Sequence, residues 1–112
     1  MYEVRAHDHF KKELVSLGKK YKSIPDDISD LIKELATNPL LGKPVWGNFR
    51  KVRMAIHSKN KGKRSGARII TLFTIKNNIV HLLSIYDKSV KDNLTPKEIE
   101  RLVLFSNNEL QK

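Results

Sequence analysis

Apolar side chains recur along the chain with two different spacings, and the order of these spacings predicts the order of the elements. Residues 2–6 alternate between polar and apolar side chains, which is typical of a short strand. The next apolar residues lie at helical spacing: Phe10, Leu14, Leu17 and Tyr21. This stripe predicts a first amphipathic helix.

A second helix is predicted between Pro25 and Asn38. Proline suits the first turn of a helix, and acidic residues follow it where a helix N-terminus favours negative charge. The helix is expected to end at Asn38, because a residue that precedes proline leaves the α region. The two amphipathic helices and the short joint between them predict a helical hairpin that lies on a sheet.

The second half of the chain is predicted to consist mostly of strands. Residues 49–56 alternate so that one face is basic and carries Lys51 and Arg53. Residues 67–75 and 79–86 are rich in β-branched and aromatic side chains, which is typical of central strands. These strands are apolar on both faces in places, as expected of a sheet with helices over one side and a partner over part of the other.

The last two strands are predicted to form a tight hairpin, because asparagine in the connection KNN (76–78) tolerates a left-handed backbone. A three-residue connection sets Arg68 opposite Tyr86 on one face of the sheet. A two-residue connection would set Arg68 against Asp87 instead. Both registers place Arg68 at the end of the sheet that adjoins the C-terminal segment.

A final helix is predicted after residues 95–98, TPKE, which have the sequence of a capping box. The predicted order is therefore β-α-α-β-β-β-α. The predicted fold class is α+β, with an antiparallel-dominated sheet packed against an N-terminal helical hairpin. At 112 residues the chain is expected to form a single domain, 1–112.

The positive charge of the chain is confined to its middle. The sequence has 22 Lys and Arg against 12 Asp and Glu, a net charge of +10. No acidic residue lies between Glu34 and Asp87, whereas ten basic residues lie there, so the remaining twelve basic residues equal the twelve acidic ones. A pI near 9.9 with its excess charge in one segment is typical of a protein that binds a polyanion.

Composition also excludes several classes of function. The chain has no cysteine, which excludes disulfides, thiolate zinc sites and cysteine nucleophiles. The basic segment lacks carboxylates, so no metal site and no cofactor are expected. The sequence has no apolar run of about 18 residues and no signal-peptide pattern, so a cytoplasmic location is expected.

The densest cluster of cations lies in the loop segment 57–68, HSKNKGKRSGAR. Its cations are Lys59, Lys61, Lys63, Arg64 and Arg68. Gly62 and Gly66 are expected to let the backbone bend and a ligand approach closely. The predicted hairpin brings further residues to the same end of the sheet: Tyr86, Lys88 and Lys91.

These residue types supply the roles that cleavage of RNA requires. A lysine crowded by other cations has a lowered pKa and can act as a base, whereas an arginine stays charged and can clamp a phosphate. Tyr86 can transfer a proton or stack on a nucleobase. His57 and His81 are the histidines of the basic segment, and His81 is expected to be packed within its strand. From the residues alone, binding without cleavage is an equal alternative.

The segment KGKRSGARIITLFTIKNNIVHLLSIYDKSVKDNLTPKEIERLV (61–103) resembles the RelE/HigB-type toxins of bacterial type II toxin–antitoxin systems, in the RelE/ParE superfamily. The features that carry the resemblance are the K-x-K-x-K spacing (59–63), the SGAR step into a strand (65–68), and the tyrosine and lysines of residues 85–91. The predicted order of elements agrees with the microbial-ribonuclease-like fold of that family.

The resemblance implies a ribosome-dependent endoribonuclease that cuts mRNA, uses the 2′-hydroxyl as nucleophile and needs no metal or cofactor. The residues that it implies as catalytic are Arg68, Lys61, Lys63 and Tyr86, with Arg68 as the ligand of the phosphate. The residues that it implies for RNA binding are Lys59, Arg64, Arg53, Lys88 and Lys91. It also implies an acidic antitoxin as partner, beside the ribosome and mRNA, and a toxin that is monomeric on its own.

Two other interpretations remain open. The related ParE-type toxins share the fold but inhibit DNA gyrase, and the cationic loop with Arg68 favours the nuclease over them. A basic RNA-binding module without catalysis is the third interpretation. Proteins that bind single strands usually place several exposed aromatic residues on the sheet, whereas aromatic residues make up only 7% of this chain.

Overall fold

One sheet with α-helices on both faces forms the framework of the protein. In a computed structural model, the described residues, 1–60 and 62–110, form five strands and three α-helices. The strands are β1 (Glu3–Ala6), β2 (Lys43–Pro44), β3 (Phe49–Met54), β4 (Ala67–Thr74) and β5 (Ile79–Asp87). The helices are α1 (Asp8–Lys20), α2 (Ile24–Thr37) and α3 (Pro96–Leu110). None of these helices is long and apolar enough to span a membrane, within the residues described.

The strands lie side by side in the order β1-β5-β4-β3-β2. β1 is parallel to β5, whereas the other neighbouring pairs are antiparallel. The predicted α+β class, with its helical hairpin and its antiparallel-dominated sheet, is confirmed. The predicted order did not include β2, which pairs with Lys51 and Arg50 of β3. A strand of two residues that contains a proline has no periodicity for a sequence pattern to reveal.

Two apolar cores lie on opposite faces of the sheet. The larger core packs α1 and α2 against the sheet, and its buried side chains include Phe10, Leu35, Ile69 and Leu82. The second core lies under α3, and its buried side chains include Ile70, Leu72, Leu83 and Leu102. α3 therefore covers the face for which a partner was expected, and β4 and β5 are apolar on both faces because the chain itself covers both.

Successive residues of β3 point to opposite faces of the sheet. Val52 and Met54 join the larger core, and Lys51 and Arg53 lie on the other face. The basic face predicted for this strand is therefore confirmed. Its two cations lie beside β4, where Arg53 is directly opposite Arg68.

The β4–β5 hairpin sets Arg68 opposite Tyr86, so the predicted neighbours are confirmed. The first pair beside the turn is Thr74 with Ile79, so the connection has four residues rather than the predicted three. A β-bulge in the middle of the hairpin, where β5 carries one extra residue, restores the predicted pairing at the far end. The predicted turn length was therefore wrong, and the bulge was not predicted because it leaves no trace in the alternation of apolar side chains.

Gly66 lies where the loop after β3 enters β4, against the backbone of β3. A Cβ atom placed on Gly66 would lie 2.0 Å from the carbonyl oxygen of Met54. The backbone oxygen of Gly66 also accepts a hydrogen bond of 3.0 Å from the N–H of Lys88. This glycine is therefore required by close approach of the chain's own backbone, and not by approach of a ligand as the sequence suggested.

Replacement of Gly66 by alanine is expected to lower the free energy of unfolding by roughly 1–3 kcal/mol, because the added methyl group overlaps the backbone of β3. Gly18→Ala is the matched control in α1. Among the described residues outside its own helix and chain neighbours, no atom lies within 4 Å of a methyl group placed there, so this variant should be at least as stable as wild type. Urea unfolding measures both variants, and an unchanged stability of Gly66→Ala would contradict the close contact.

Candidate functional site

The carboxylate of Asp87, at the end of β5, is buried, with 3% of the residue exposed. Lys59 donates to its Oδ1 over 2.6 Å, and Tyr21 donates to its Oδ2 over 2.6 Å. Ser89 donates to Oδ1 from both its backbone N–H and its hydroxyl. Burial alone would raise the pKa of Asp87, but these hydrogen bonds hold that pKa well below its usual range. A charged carboxylate therefore joins the end of α1, the loop after β3 and the end of β5.

Lys59 is the loop's contribution to this network. Its Nζ also donates to the backbone oxygen of Ser65 over 2.9 Å and lies 5.0 Å from the centre of the Tyr21 ring. Its side chain is only 10% exposed. The loop between β3 and β4 is thus closed over the end of the sheet, with Lys59 as an internal anchor instead of a surface cation.

The closed loop fixes the guanidinium of Arg68. Its Nη1 donates to the backbone oxygen of Lys63 over 3.0 Å, and its Nη2 donates to that of Arg64 over 2.8 Å. Arg68 is 3% exposed. Burial and the neighbouring charge of Arg53 lower the pKa of Arg68, but a guanidinium begins so high that it stays charged. The loop therefore presents a cation whose orientation is set before any ligand binds.

An open cleft of about 760 Å³ lies beside Arg68, between the basic face of β3 and the segment after β5. The cations that line it come from five segments: Lys43, Lys51, Arg53, Lys63, Arg68 and Lys88. Glu34 and Asp92 also line the cleft, and the carboxylate of Asp92 is paired with Lys88. A phosphate backbone that entered this cleft would meet an excess of positive charge.

Lys51 is a member of this site that the sequence analysis placed on the basic face of its strand but did not assign to the site. Its Nζ donates to Oδ1 of Asn93 over 3.0 Å, at the mouth of the cleft. Burial lowers the pKa of Lys51, and the positive charges of Arg68, Lys88 and Arg53 lower it further. Burial and its cationic neighbours therefore favour the neutral amine of Lys51 more than free solution does. The signal that pointed to it was the alternation in residues 49–56.

The structure brings only some of the predicted residues together. Those that line the cleft are Arg53, Lys63, Arg68 and Lys88. Arg64 is exposed, and its backbone oxygen is the part that contacts Arg68. Lys59 points into the Asp87 network. Lys61, which was predicted to be catalytic, lies outside the described residues.

Tyr86 lies beside Arg68, as predicted, but it is buried in the core under α3, with 4% of the residue exposed. Its hydroxyl donates to the backbone oxygen of Asp92 over 3.3 Å, and burial raises the pKa of that hydroxyl. The Nζ of Lys91 lies 5.3 Å from the centre of the Tyr86 ring and 2.7 Å from Oε2 of Glu98. Tyr86 and Lys91 therefore hold the segment after β5 against the sheet.

The histidines lie in separate clusters. His81 is fully buried, with its Nδ1 2.7 Å from Nε2 of His7, and it is packed within its strand as expected. His57 lies at the start of the cationic loop and is hydrogen-bonded to Asp27. Over residues 1–60 and 62–110, no group of three or more His, Asp or Glu side chains is placed to hold a metal ion.

The fold is that of the RelE toxins. The toxin–antitoxin complex RelBE2 of Mycobacterium tuberculosis has a chain that matches with a TM-score of 0.59 at 18% identity, over 77% of this chain and 96% of that chain. The isolated E. coli RelE toxin matches with a TM-score of 0.60 at 13% identity, over 94% of this chain and 99% of that chain. An E. coli RelE variant with two arginines replaced by alanine, in the free state, matches with a TM-score of 0.58 at 14% identity, over 81% and 87%. No protein-family model matches the sequence.

Asp87→Asn is expected to lower the free energy of unfolding by roughly 3–5 kcal/mol at neutral pH, because it leaves the buried ammonium of Lys59 without a counter-charge. The pKa of Asp87 is lower in the folded protein than in the unfolded chain. Asp87 therefore contributes to the free energy of unfolding at pH values above its unfolded pKa of about 3.9. That contribution is lost as the pH falls from this value through the lower pKa of the folded protein. Urea unfolding over a series of pH values should show a steeper acid loss for wild type than for Asp87→Asn.

Asp92→Asn is the control for this prediction. Its carboxylate is also paired with a lysine, Lys88, but it is exposed, so its removal should change the stability little. Identical acid profiles for wild type and Asp87→Asn would contradict the assignment of Asp87 as the buried anchor.

Proposed function

We propose that the protein is the toxin of a type II toxin–antitoxin system and that it is a metal-independent, ribosome-dependent endoribonuclease that cleaves mRNA and thereby inhibits translation. The observation that carries this proposal is the convergence of Lys51, Arg53 and Arg68 in one open cleft. The RelE-like fold supports the same proposal, because the cleft belongs to a framework seen in known toxins. The cytoplasm, where ribosomes and mRNA are found, is the proposed location.

Arg68 and Arg53 are the proposed ligands of the scissile phosphate. They are directly paired across β4 and β3, so both guanidinium groups belong to the same face of the sheet. The transition state for attack on a phosphodiester carries additional negative charge on the phosphate oxygens. Cations that are already fixed in place stabilise this charge more than mobile ones do, because no reorganisation is needed during the reaction. The backbone contacts of Arg68 supply that fixed position.

Lys51 is the proposed general base. Its lowered pKa increases the fraction of neutral amine that can accept the proton of the 2′-hydroxyl. The 2′-oxygen then forms a bond to phosphorus, and the bond from phosphorus to the 5′-oxygen breaks. The products are a 2′,3′-cyclic phosphate on one fragment and a 5′-hydroxyl on the other. This reaction uses the nucleophile already present in RNA, so it does not require an activated water.

The remaining cations are proposed to hold the flanking RNA. Lys63 and Lys88 lie in the wall of the cleft, where they can contact the phosphates on either side of the scissile one. Arg64 and the catalytic candidate Lys61 keep the roles predicted from the resemblance. For Lys59, Tyr86 and Lys91 we propose positioning roles, because Lys59 anchors the loop and the other two hold the segment after β5.

An acidic antitoxin is the proposed protein partner. One of the matching structures is a complex of a toxin with an antitoxin. The net charge of +10, concentrated in the middle of this chain, favours a partner of opposite charge. An acidic segment that lay across the cleft would compete with RNA for the same cations.

Two substitutions of Lys51 test the catalytic proposal. Lys51→Met removes the base, and Lys51→Arg keeps the charge but cannot release a proton. Both are expected to slow cleavage of ribosome-bound mRNA by about 10²-fold or more, because general base catalysis is lost. Growth of an induced bacterial host, with primer extension on an abundant mRNA, should show arrest and cuts for wild type only.

Lys12→Met is the matched control, because Lys12 is an exposed lysine of α1 outside the cleft, and it should behave as wild type. Full activity of Lys51→Arg would contradict the role of Lys51 as base and leave only a charge effect. Growth arrest without any cut would favour inhibition of DNA gyrase, as in the ParE-type toxins, over the proposed nuclease.

A further inference from the structure

His57, at the start of the loop after β3, is held by a buried carboxylate. Its Nδ1 is hydrogen-bonded to Oδ1 of Asp27 in the first turn of α2. Oδ2 of Asp27 accepts from the backbone N–H of His57 over 3.1 Å and from the hydroxyl of Ser23 over 2.7 Å. Asp27 is 5% exposed. The carboxylate therefore fixes both the backbone and the ring of His57.

This arrangement selects one tautomer of the neutral ring. A hydrogen bond to a carboxylate places a proton on Nδ1, so Nε2 is the atom that gains and loses a proton. The His57 side chain is 74% exposed, although its carboxylate partner is almost completely buried. A contact that only attached the loop to α2 would not require an imidazole. Here Nδ1 of the imidazole is held by Asp27 while most of the side chain is exposed to solvent.

The space that His57 lines adjoins the cleft that holds the proposed reaction site. A groove of about 170 Å³ between α2 and the end of β3 is lined by His57 together with Arg53 and Lys63. Arg53 and Lys63 also line the main cleft, so the two spaces adjoin. Arg53 is in turn paired with Arg68. A phosphate held between the two arginines therefore lies near the entrance to the groove that His57 lines.

We propose that His57 is the general acid of the RNA cleavage described above, and that its Nε2 gives a proton to the 5′-oxygen as that oxygen leaves phosphorus. This proposal rests on the proposed function and completes its proton balance. Lys51 takes one proton from the 2′-hydroxyl, and His57 returns one proton to the 5′-oxygen. Asp27 is a positioning residue that keeps the ring oriented.

The charges around His57 suit this role. The hydrogen bond that His57 donates to Asp27 raises the pKa of His57, and the charges of Asp27 and Asp30 add to this effect. Glu34 of α2 lines the same groove, and Arg53 and Lys63 face it from β3 and from the loop. The imidazolium, which is the form that donates, is favoured below the raised pKa and is lost as the pH rises through it.

A substrate whose leaving atom is sulfur instead of oxygen distinguishes a general acid from any other role of His57. Ribosomes carry either a normal mRNA or one with sulfur in place of the bridging 5′-oxygen at the cleavage position, and single-turnover rates are measured. A thiolate leaves without protonation. His57→Gln is therefore expected to cleave the normal mRNA about 10²-fold more slowly and the sulfur mRNA at close to the wild-type rate. Lys51→Met should be slow on both, and His9→Gln, at a half-buried histidine of α1 outside the cleft and the groove, should match wild type on both.

The pH profile of the wild-type protein provides a test that needs no substitution. The normal mRNA should give a bell-shaped profile, and the sulfur mRNA should give a rate that only rises with pH. Equal slowing of both substrates by His57→Gln, or bell-shaped profiles for both, would overturn the proposal while the nuclease function stands. A wild-type protein that cleaves neither substrate would remove the nuclease function and the role of His57 together.

Discussion

The buried carboxylate of Asp87 joins separate parts of the chain at one end of the sheet. It lies at the end of β5 and binds Lys59 from the loop after β3, Tyr21 from the end of α1, and Ser89 from the segment after β5. A buried carboxylate is costly to desolvate, and donors from all sides are needed to offset that cost. These donors include an ammonium on a loop that also carries exposed cations. The anchor therefore helps to fix where that loop lies.

The position of Lys59 affects the cleft through the loop that carries it. Once Lys59 is fixed, the loop carbonyls at residues 63 and 64 lie where they bind the guanidinium of Arg68. Arg68 then lies against Arg53 and close to Lys51, an arrangement that repulsion alone would disfavour. Burial lowers the pKa values of Lys51 and Arg68, and the charges of neighbouring cations lower them further. Holding these cations together therefore lowers the stability of the fold, as is expected of a site that binds and transforms an anion.

The sequence predicted those features that depend on local pattern. Arg68 and Tyr86 were placed opposite each other from a hairpin signal, and the basic face of β3 came from simple alternation. The roles of Lys59 and Lys51 could not be separated in the same way. Both are lysines in a basic segment, and only tertiary packing shows that Lys59 binds Asp87 while Lys51 faces the cleft. The bond between Asp27 and His57 likewise spans 30 residues of chain, and nothing in either local pattern indicates it.

The chemistry of the cut ends is the measurement that tests the central claim most directly. Purified protein is incubated with a defined mRNA, with and without programmed ribosomes, and the new termini are identified. A cationic site with a lysine base predicts a 2′,3′-cyclic phosphate and a 5′-hydroxyl, produced when ribosomes are present. Fragments that end in a 3′-hydroxyl and a 5′-phosphate, or an intact mRNA on the ribosome, would contradict it.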